Sequence, residues 1–253
     1  MFLKTINIGD ETLVTEIVMR DYRTAGVFGK YGIDYCCGGK QPLEKVCEIR
    51  GLDINLVKEE LYNSLRNIHV SNSINFKDWS IDFLVDFIIN VHHSYLVINL
   101  PEITTTLKRF AEGHQSKYPW LPELIESFNC LYEELLPHLA QEEKIIFPYI
   151  KQIVHAHASR EPYAGLLVRT LRKPIETMIS HEQDYIAKYL YRFRELTNNY
   201  TPPLNACITH KVTFSKLKEL DTDIVQHVYF ENEILFPKAI QIEKELKEID
   251  TIS

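Results

Sequence analysis

The chain of 253 residues has neither an excess of positive charge nor a long apolar run. Its net charge is -7 and its pI is near 5.8, whereas non-specific nucleic-acid binding needs a basic surface, so we expect no nucleic-acid partner. No uncharged apolar stretch approaches the roughly 20 residues that cross a bilayer, so we expect no membrane association. The first ten residues lack the basic start and apolar core of a signal peptide, and a cytoplasmic location is therefore the default expectation.

The chain has few cysteines, and their number is odd. This argues against a secreted domain stabilised by disulfides and favours a reducing compartment. No pair has the C-x2-C spacing of a zinc site, and two of the thiols are adjacent. The five cysteines are Cys36, Cys37, Cys47, Cys130 and Cys207.

Glycine is almost absent after residue 51, and the early, glycine-rich part predicts short helices joined by tight turns. A polar stretch at 70–78 marks a boundary, so residues 1–70 are predicted to form a small helical N-terminal domain. Beyond it, apolar residues recur three and four positions apart, and clusters of Pro and Asn separate the periodic stretches. These stretches are 79–110, 121–152, 163–197 and 205–246. The pattern predicts an all-α protein in which residues 79–246 form an antiparallel four-helix bundle.

One sequence unit occurs twice in this bundle. His138 and Glu142 open a segment that reads H-x3-E-x-x-I-[IL]-F-P, and His227 and Glu231 open a second copy. The copies lie 89 positions apart (227 minus 138), in the predicted second and fourth helices. Such a spacing indicates a two-helix unit used twice.

Histidine and glutamate interrupt the apolar faces that should form the bundle core. In the second helix the predicted inward positions are Leu131, Leu135, His138, Glu142, Ile145 and Tyr149. In the fourth they are Leu220, Ile224, His227, Glu231 and Ile234. The first and third helices each add one histidine, His93 and His181, and Tyr185 lies on the same predicted face as His181.

Two carboxylates in one apolar core require a compensating cation, because burying an unpaired carboxylate costs several kcal/mol. Residues i and i+4 on a helix share a face and can reach one centre. Four imidazoles and two carboxylates exceed the needs of one tetrahedral zinc but suit two metals, with iron or manganese favoured. His92 is predicted to lie on the flank, about 100° from its neighbour. His93 is therefore the preferred ligand, although the choice between the two stays open.

At these residues the chain resembles the hemerythrin-like proteins of the repair-of-iron-centres family. The resemblance covers nearly the whole chain, including the Tyr-Cys-Cys-Gly-Gly motif at residues 35–39. It implies two non-haem iron ions per chain with an oxo or hydroxo bridge. The implied ligands are His93, His138, Glu142, His181, His227 and Glu231.

The resemblance also implies a function: repair of iron–sulfur clusters damaged by oxidative or nitrosative stress, by supplying iron or handling nitric oxide. Damaged or apo iron–sulfur proteins are the implied partners, with nitric oxide or oxygen as small ligands. Whether the chain forms a homodimer is left open. Two alternatives remain, a hemerythrin-like protein that binds or senses oxygen or nitric oxide, and a di-iron enzyme that reduces nitric oxide or peroxide.

The adjacent Cys36 and Cys37 are candidates for a redox, metal-transfer or nitrosyl-accepting role. Neighbouring cysteines do not easily form a strain-free disulfide, and the two glycines that follow permit close approach of another surface. The alternative is a pair of ordinary small buried residues.

Overall fold

The computed structural model describes residues 7–36, 39–65, 75–160, 168, 175 and 183–249, and the structural statements below concern these residues. Within them the chain is almost entirely helical and forms no strand; Leu13 and Pro42 make one isolated β-bridge. The predicted all-α class is confirmed.

Four short helices make up the N-terminal region. They are α1 (Val14–Arg20), α2 (Thr24–Lys30), α3 (Leu43–Arg50) and α4 (Ile54–Ser64). Gly51 ends α3 in the left-handed conformation, with φ of 64°, and the Asp53 carboxylate caps α4 by accepting from the Asn55 amide. The helices enclose their own apolar core, which includes Ile17, Phe28, Leu43, Val57 and Leu61.

Long helices follow, and three of them contain a π-helical segment. The first bundle helix comprises α5 (Ile81–Phe87), a π segment (Ile88–His93) and α6 (Ser94–His114). The second comprises α7 (Leu121–Gln141), a π segment (Glu142–Ile146) and α8 (Phe147–Ala158). The third is described as α9 (Gln183–Leu196). The fourth comprises α10 (Ile208–Phe230), a π segment (Glu231–Leu235) and α11 (Phe236–Ile249).

The π segments change which residues face the core. Ile145, on the predicted inward face of the second helix, is 58% exposed, and Ile146 is buried instead. A π turn holds one residue more than an α turn, so the helical face rotates by about 100° beyond it. The prediction for Ile145 was wrong for this reason. Tyr185 in the third helix is also exposed, at 59%, and its neighbour Ile186 is buried.

Two apolar clusters fill the bundle. One packs Leu84, Phe147, Ile150 and Phe236 near one end, and the other packs Leu100, Phe128, Leu131, Leu217 and Leu220 toward the other end. Most predicted inward positions are therefore buried. The π segments lie where the two clusters meet.

The N-terminal region docks on the start of the fourth bundle helix. Val212 belongs to the buried core of the N-terminal helices, and Ile208 packs against it. Tyr22 donates a hydrogen bond to Glu219 at 2.8 Å. The bounds 1–70 and 79–246 of the two domains stay a prediction.

The first bundle helix, Ile81–His114, is long and apolar enough to satisfy the length and composition criteria for a membrane span, with a mean hydropathy of 1.4 over an 18-residue window. One such helix is weak evidence, because the core helix of a bundle meets the same criteria. Leu96, Leu100 and Leu107 of this helix are buried in the bundle core.

Candidate metal centre

Four buried side chains from three bundle helices converge at the junction of the two apolar clusters. They are His93, Glu142, His227 and Glu231, and one ligand atom from each lies within 4.8 Å of all the others. His93 Nε2 and His227 Nε2 are 3.1 Å apart, and His227 Nε2 is 2.9 Å from Glu231 Oε1. Each of the four is about 1% exposed.

The π segments place these residues. His93 is the last residue of the first segment, while Glu142 and Glu231 are the first residues of the other two. His92 and His93, the last two residues of the first segment, are both buried. π segments are frequent at functional sites.

Local sequence explains these irregular turns. Pro148 and Pro237 follow the second and third π segments within two residues. Proline has no N–H, so the carbonyl four residues upstream loses its α-helical donor, and the hydrogen-bond ladder is interrupted. In the first segment the Ser94 hydroxyl donates to the Ile89 carbonyl, five residues upstream, at 3.0 Å. The second and third π segments thus share the I-[IL]-F-P ending, although Pro101 and Pro137 lie inside α-helices.

Glu142 presents its two carboxylate oxygens to different histidines. Oε2 lies 3.4 Å from His93 Nε2 and 3.9 Å from His227 Nε2, whereas Oε1 lies 3.2 Å from His138 Nε2. Glu142 Oε2 is buried and has no hydrogen-bond donor.

Burial sets the charge state of this cluster. Desolvation, together with the charge of Glu231, raises the pKa of Glu142 to about 7, and desolvation also raises the pKa of Glu231 to about 7. Burial lowers the pKa of His227 to about 3. Burial opposes protonation of His93 too, but Glu142 and Glu143 outweigh it and leave its pKa raised. The neutral His227 imidazole beside two buried carboxyl groups is a donor set that a metal ion completes.

Two carboxylates orient the histidines from outside the cluster. Glu143 Oε1 lies 2.8 Å from His93 Nδ1 and leaves Nε2 directed at the cluster. Asp223 Oδ1 lies 3.0 Å from His92 Nδ1, and the His92 ring stacks on His227 with centroids 5.8 Å apart. His92 is 2% exposed, so the prediction that it lies on the flank was wrong, although its ring does not enter the four-residue cluster. Sequence reasoning missed Glu143 and Asp223.

The remaining predicted site residues fall in three places. His138 contacts Glu142 at the edge of the cluster. His181 and Cys37 lie outside the described residues. Cys36 lies at the far end of the bundle, because its neighbour Cys207 is 20 residues, about 30 Å of α-helix, from His227.

Comparison with known proteins decides the family. The hemerythrin HHE cation binding domain matches residues 85–239, which is more than half of the chain. The chain belongs to the hemerythrin HHE family. A domain of unknown function, DUF542, matches residues 10–65 in front of it.

Relatives of this hemerythrin-like chain share both parts. Iron-sulfur cluster repair protein YtfE of Enterobacter sp. (strain 638) is 32% identical over 228 residues, which cover 89% of this chain and 94% of the relative. The protein of the same name from Escherichia coli O81 (strain ED1a) is 33% identical over 229 residues, with the same coverage. The predicted family resemblance is confirmed, and a cation-binding role fits the buried His and Glu cluster.

Proposed function

We propose that the chain is a di-iron protein that supplies iron for the repair of damaged iron–sulfur clusters. The observation that carries the proposal is the buried Glu142, whose two oxygens face His93 and His227 on one side and His138 on the other. A carboxylate placed in this way suits a bridge between two metal ions. The relatives named for iron–sulfur cluster repair support the physiological role.

The proposed ligand set is the one that the sequence predicts. His93, His227 and Glu231 surround one position and His138 lies beside a second, with Glu142 between them. His181 remains a predicted ligand of the second position. Imidazole and carboxylate donors fit Fe2+ and Fe3+, and an oxo or hydroxo bridge would complete the pair.

In this proposal the chain releases its iron to a recipient protein, and the titration of the ligand carboxyls explains why the iron can dissociate. Protonation of Glu142 and Glu231, whose pKa values are raised to about 7, competes with metal binding at neutral pH. Glu143 orients the His93 imidazole through its 2.8 Å contact with Nδ1. The recipients are damaged or apo iron–sulfur proteins, and the proposed location is the cytoplasm.

The test follows iron from the chain to a recipient. Protein loaded with isotopically labelled iron is mixed with an apo iron–sulfur enzyme, sulfide and a reductant, in the presence of a chelator that captures free iron. Labelled clusters and returning enzyme activity are expected, and both should be lost with Glu142→Ala. If the label stays on the chain while enzyme activity returns at the rate of the iron-free control, the proposal fails.

The Glu126→Gln variant is the matched control. This glutamate lies on the exposed face of the same bundle helix and should leave iron transfer unchanged.

A further inference from the structure

The buried ring of His92 lies against the ring of a proposed metal ligand, His227. The two imidazole planes are 11° from parallel and their centroids are 5.8 Å apart, which is an offset stack. His92 is 2% exposed and His227 is 1% exposed, so the contact is buried. It joins the first bundle helix to the fourth at the position where the fourth helix supplies His227 and Glu231.

His227 differs from His93 in how its ring is held. His93 Nδ1 lies 2.8 Å from Glu143 Oε1, and such a contact fixes the ring orientation of a metal-bound histidine. His227 directs Nε2 at the cluster, 2.9 Å from Glu231 Oε1, while its buried Nδ1 has no hydrogen-bond partner among the described residues. Within that part of the chain, the orientation of the His227 ring therefore depends on packing.

A hydrogen bond and aromatic contacts fix the His92 ring. Its Nδ1 lies 3.0 Å from Asp223 Oδ1, and since an ionised carboxylate can only accept, Nδ1 is the donor. Asp223 lies one helical turn before His227 on the same helix, so it holds His92 beside that ligand. The rings of Phe87 and Phe230 also pack against His92, each with its centroid 5.6 Å away. These contacts leave the His92 ring little freedom to turn.

We propose that His92 is the positioning residue for His227, and that the stacked ring takes the place of the hydrogen bond that Glu143 makes to His93. The inference rests on the proposed metal centre, because it concerns the orientation of one of its ligands. A carboxylate partner raises the basicity of a ligand imidazole as well as orienting it. Stacking orients His227 without that added basicity, which suits a ligand of iron that is to be released.

The first measurement compares the iron affinity of folded variants by chelator competition. His92→Ala removes the stacked ring and should weaken iron affinity by about 10- to 100-fold, the usual effect of losing a residue that supports a metal ligand. The double variant His92→Phe/Asp223→Asn restores an aromatic ring and leaves no carboxylate without its partner, so it should recover most of the lost affinity.

The control variant is Ile153→Ala. Ile153 is fully buried in the apolar cluster at the same end of the bundle, 11 positions beyond Glu142. Its truncation should lower the stability of the fold without changing iron affinity. Circular dichroism confirms that each variant is folded.

The second measurement observes His227 in the metal-free protein. In NMR spectra of histidine-labelled protein at one fixed pH, the carbon-bound ring protons of His227, assigned with His227→Gln, should carry a ring-current shift from His92. His92→Ala should remove this shift, and the double variant with phenylalanine should retain one. A wild-type chain that shows the shift but binds no iron would refute the proposed function and still support the positioning of His227.

Three results would overturn the inference. One is a folded His92→Ala variant with the iron affinity and the His227 ring-proton shifts of wild type. Another is a double variant that binds iron as weakly as His92→Ala, since the aromatic ring would then not be what holds His227. The third is an equal loss of affinity in Ile153→Ala, which would assign the effect to the stability of the fold.

Discussion

Replacing Glu142 by glutamine should stabilise the metal-free protein at pH 8. The Glu142 carboxyl is 1% exposed, and burial raises its pKa from 4.5 to about 7. Since one pKa unit corresponds to about 1.4 kcal/mol, the ionised form is disfavoured in the folded state by about 3 kcal/mol. An acid whose pKa is higher in the folded than in the unfolded state makes the folded protein most stable at low pH. That stability is lost as the pH rises from about 4.5 toward 7. Glutamine has nearly the same shape as glutamate but does not ionise, so the variant should not lose stability as the pH rises.

The expected difference depends on pH. Metal-free Glu142→Gln should exceed wild type in unfolding free energy by about 3 kcal/mol at pH 8 and by less than about 1 kcal/mol at pH 5, where the unfolded carboxyl is itself partly protonated. Urea denaturation followed by the circular dichroism of the helices measures both values. The exposed Glu126→Gln variant should show no such pH-dependent difference. Equal stability of Glu142→Gln and wild type at both pH values would refute the desolvation argument.

Three further predictions concern the metal centre and its support. Glu143→Ala removes the partner of His93 Nδ1 and should weaken iron affinity by about 10- to 100-fold, measured by chelator competition; unchanged affinity would count against an orienting role. Deleting Val91 converts the first π segment to an α turn and rotates His93 by about 100° against the residues before it, so iron per chain should fall while helical content is kept. Leu135→Ala removes a fully buried side chain and should lower the unfolding free energy by about 2–5 kcal/mol in urea denaturation, whereas truncation of the exposed Ile145 should cost far less.

Helical periodicity was enough to predict the bundle, because each long helix has one apolar face. Leu131 and Leu220 follow that rule and are fully buried. The rule failed after Glu142, where the π turn rotates Ile145 outward. An analysis of periodicity assumes about 3.6 residues per turn. It cannot predict a turn that holds one extra residue unless another feature of the sequence, here Pro148, is considered as well.

The residues that orient the histidines could not be predicted from sequence patterns, for a different reason. Asp223 reaches His92 across 131 positions of sequence, and Glu143 reaches His93 across 50. Neither pair shares a helix, so no spacing rule connects them. The two H-x3-E pairs were predictable because helix geometry alone brings residues i and i+4 together.

The position of Cys36 bears on its predicted role in redox chemistry or metal transfer. Direct exchange between a thiol and the buried cluster requires contact within a few ångströms, but about 30 Å of helix separates Cys207, which Cys36 touches, from His227. An effect of Cys36 on the iron would therefore require the loop to leave Cys207 and move along the bundle. Gly39 and the buried Tyr35 oppose that movement. The role predicted for Cys36 thus depends on undocking of its loop from the bundle.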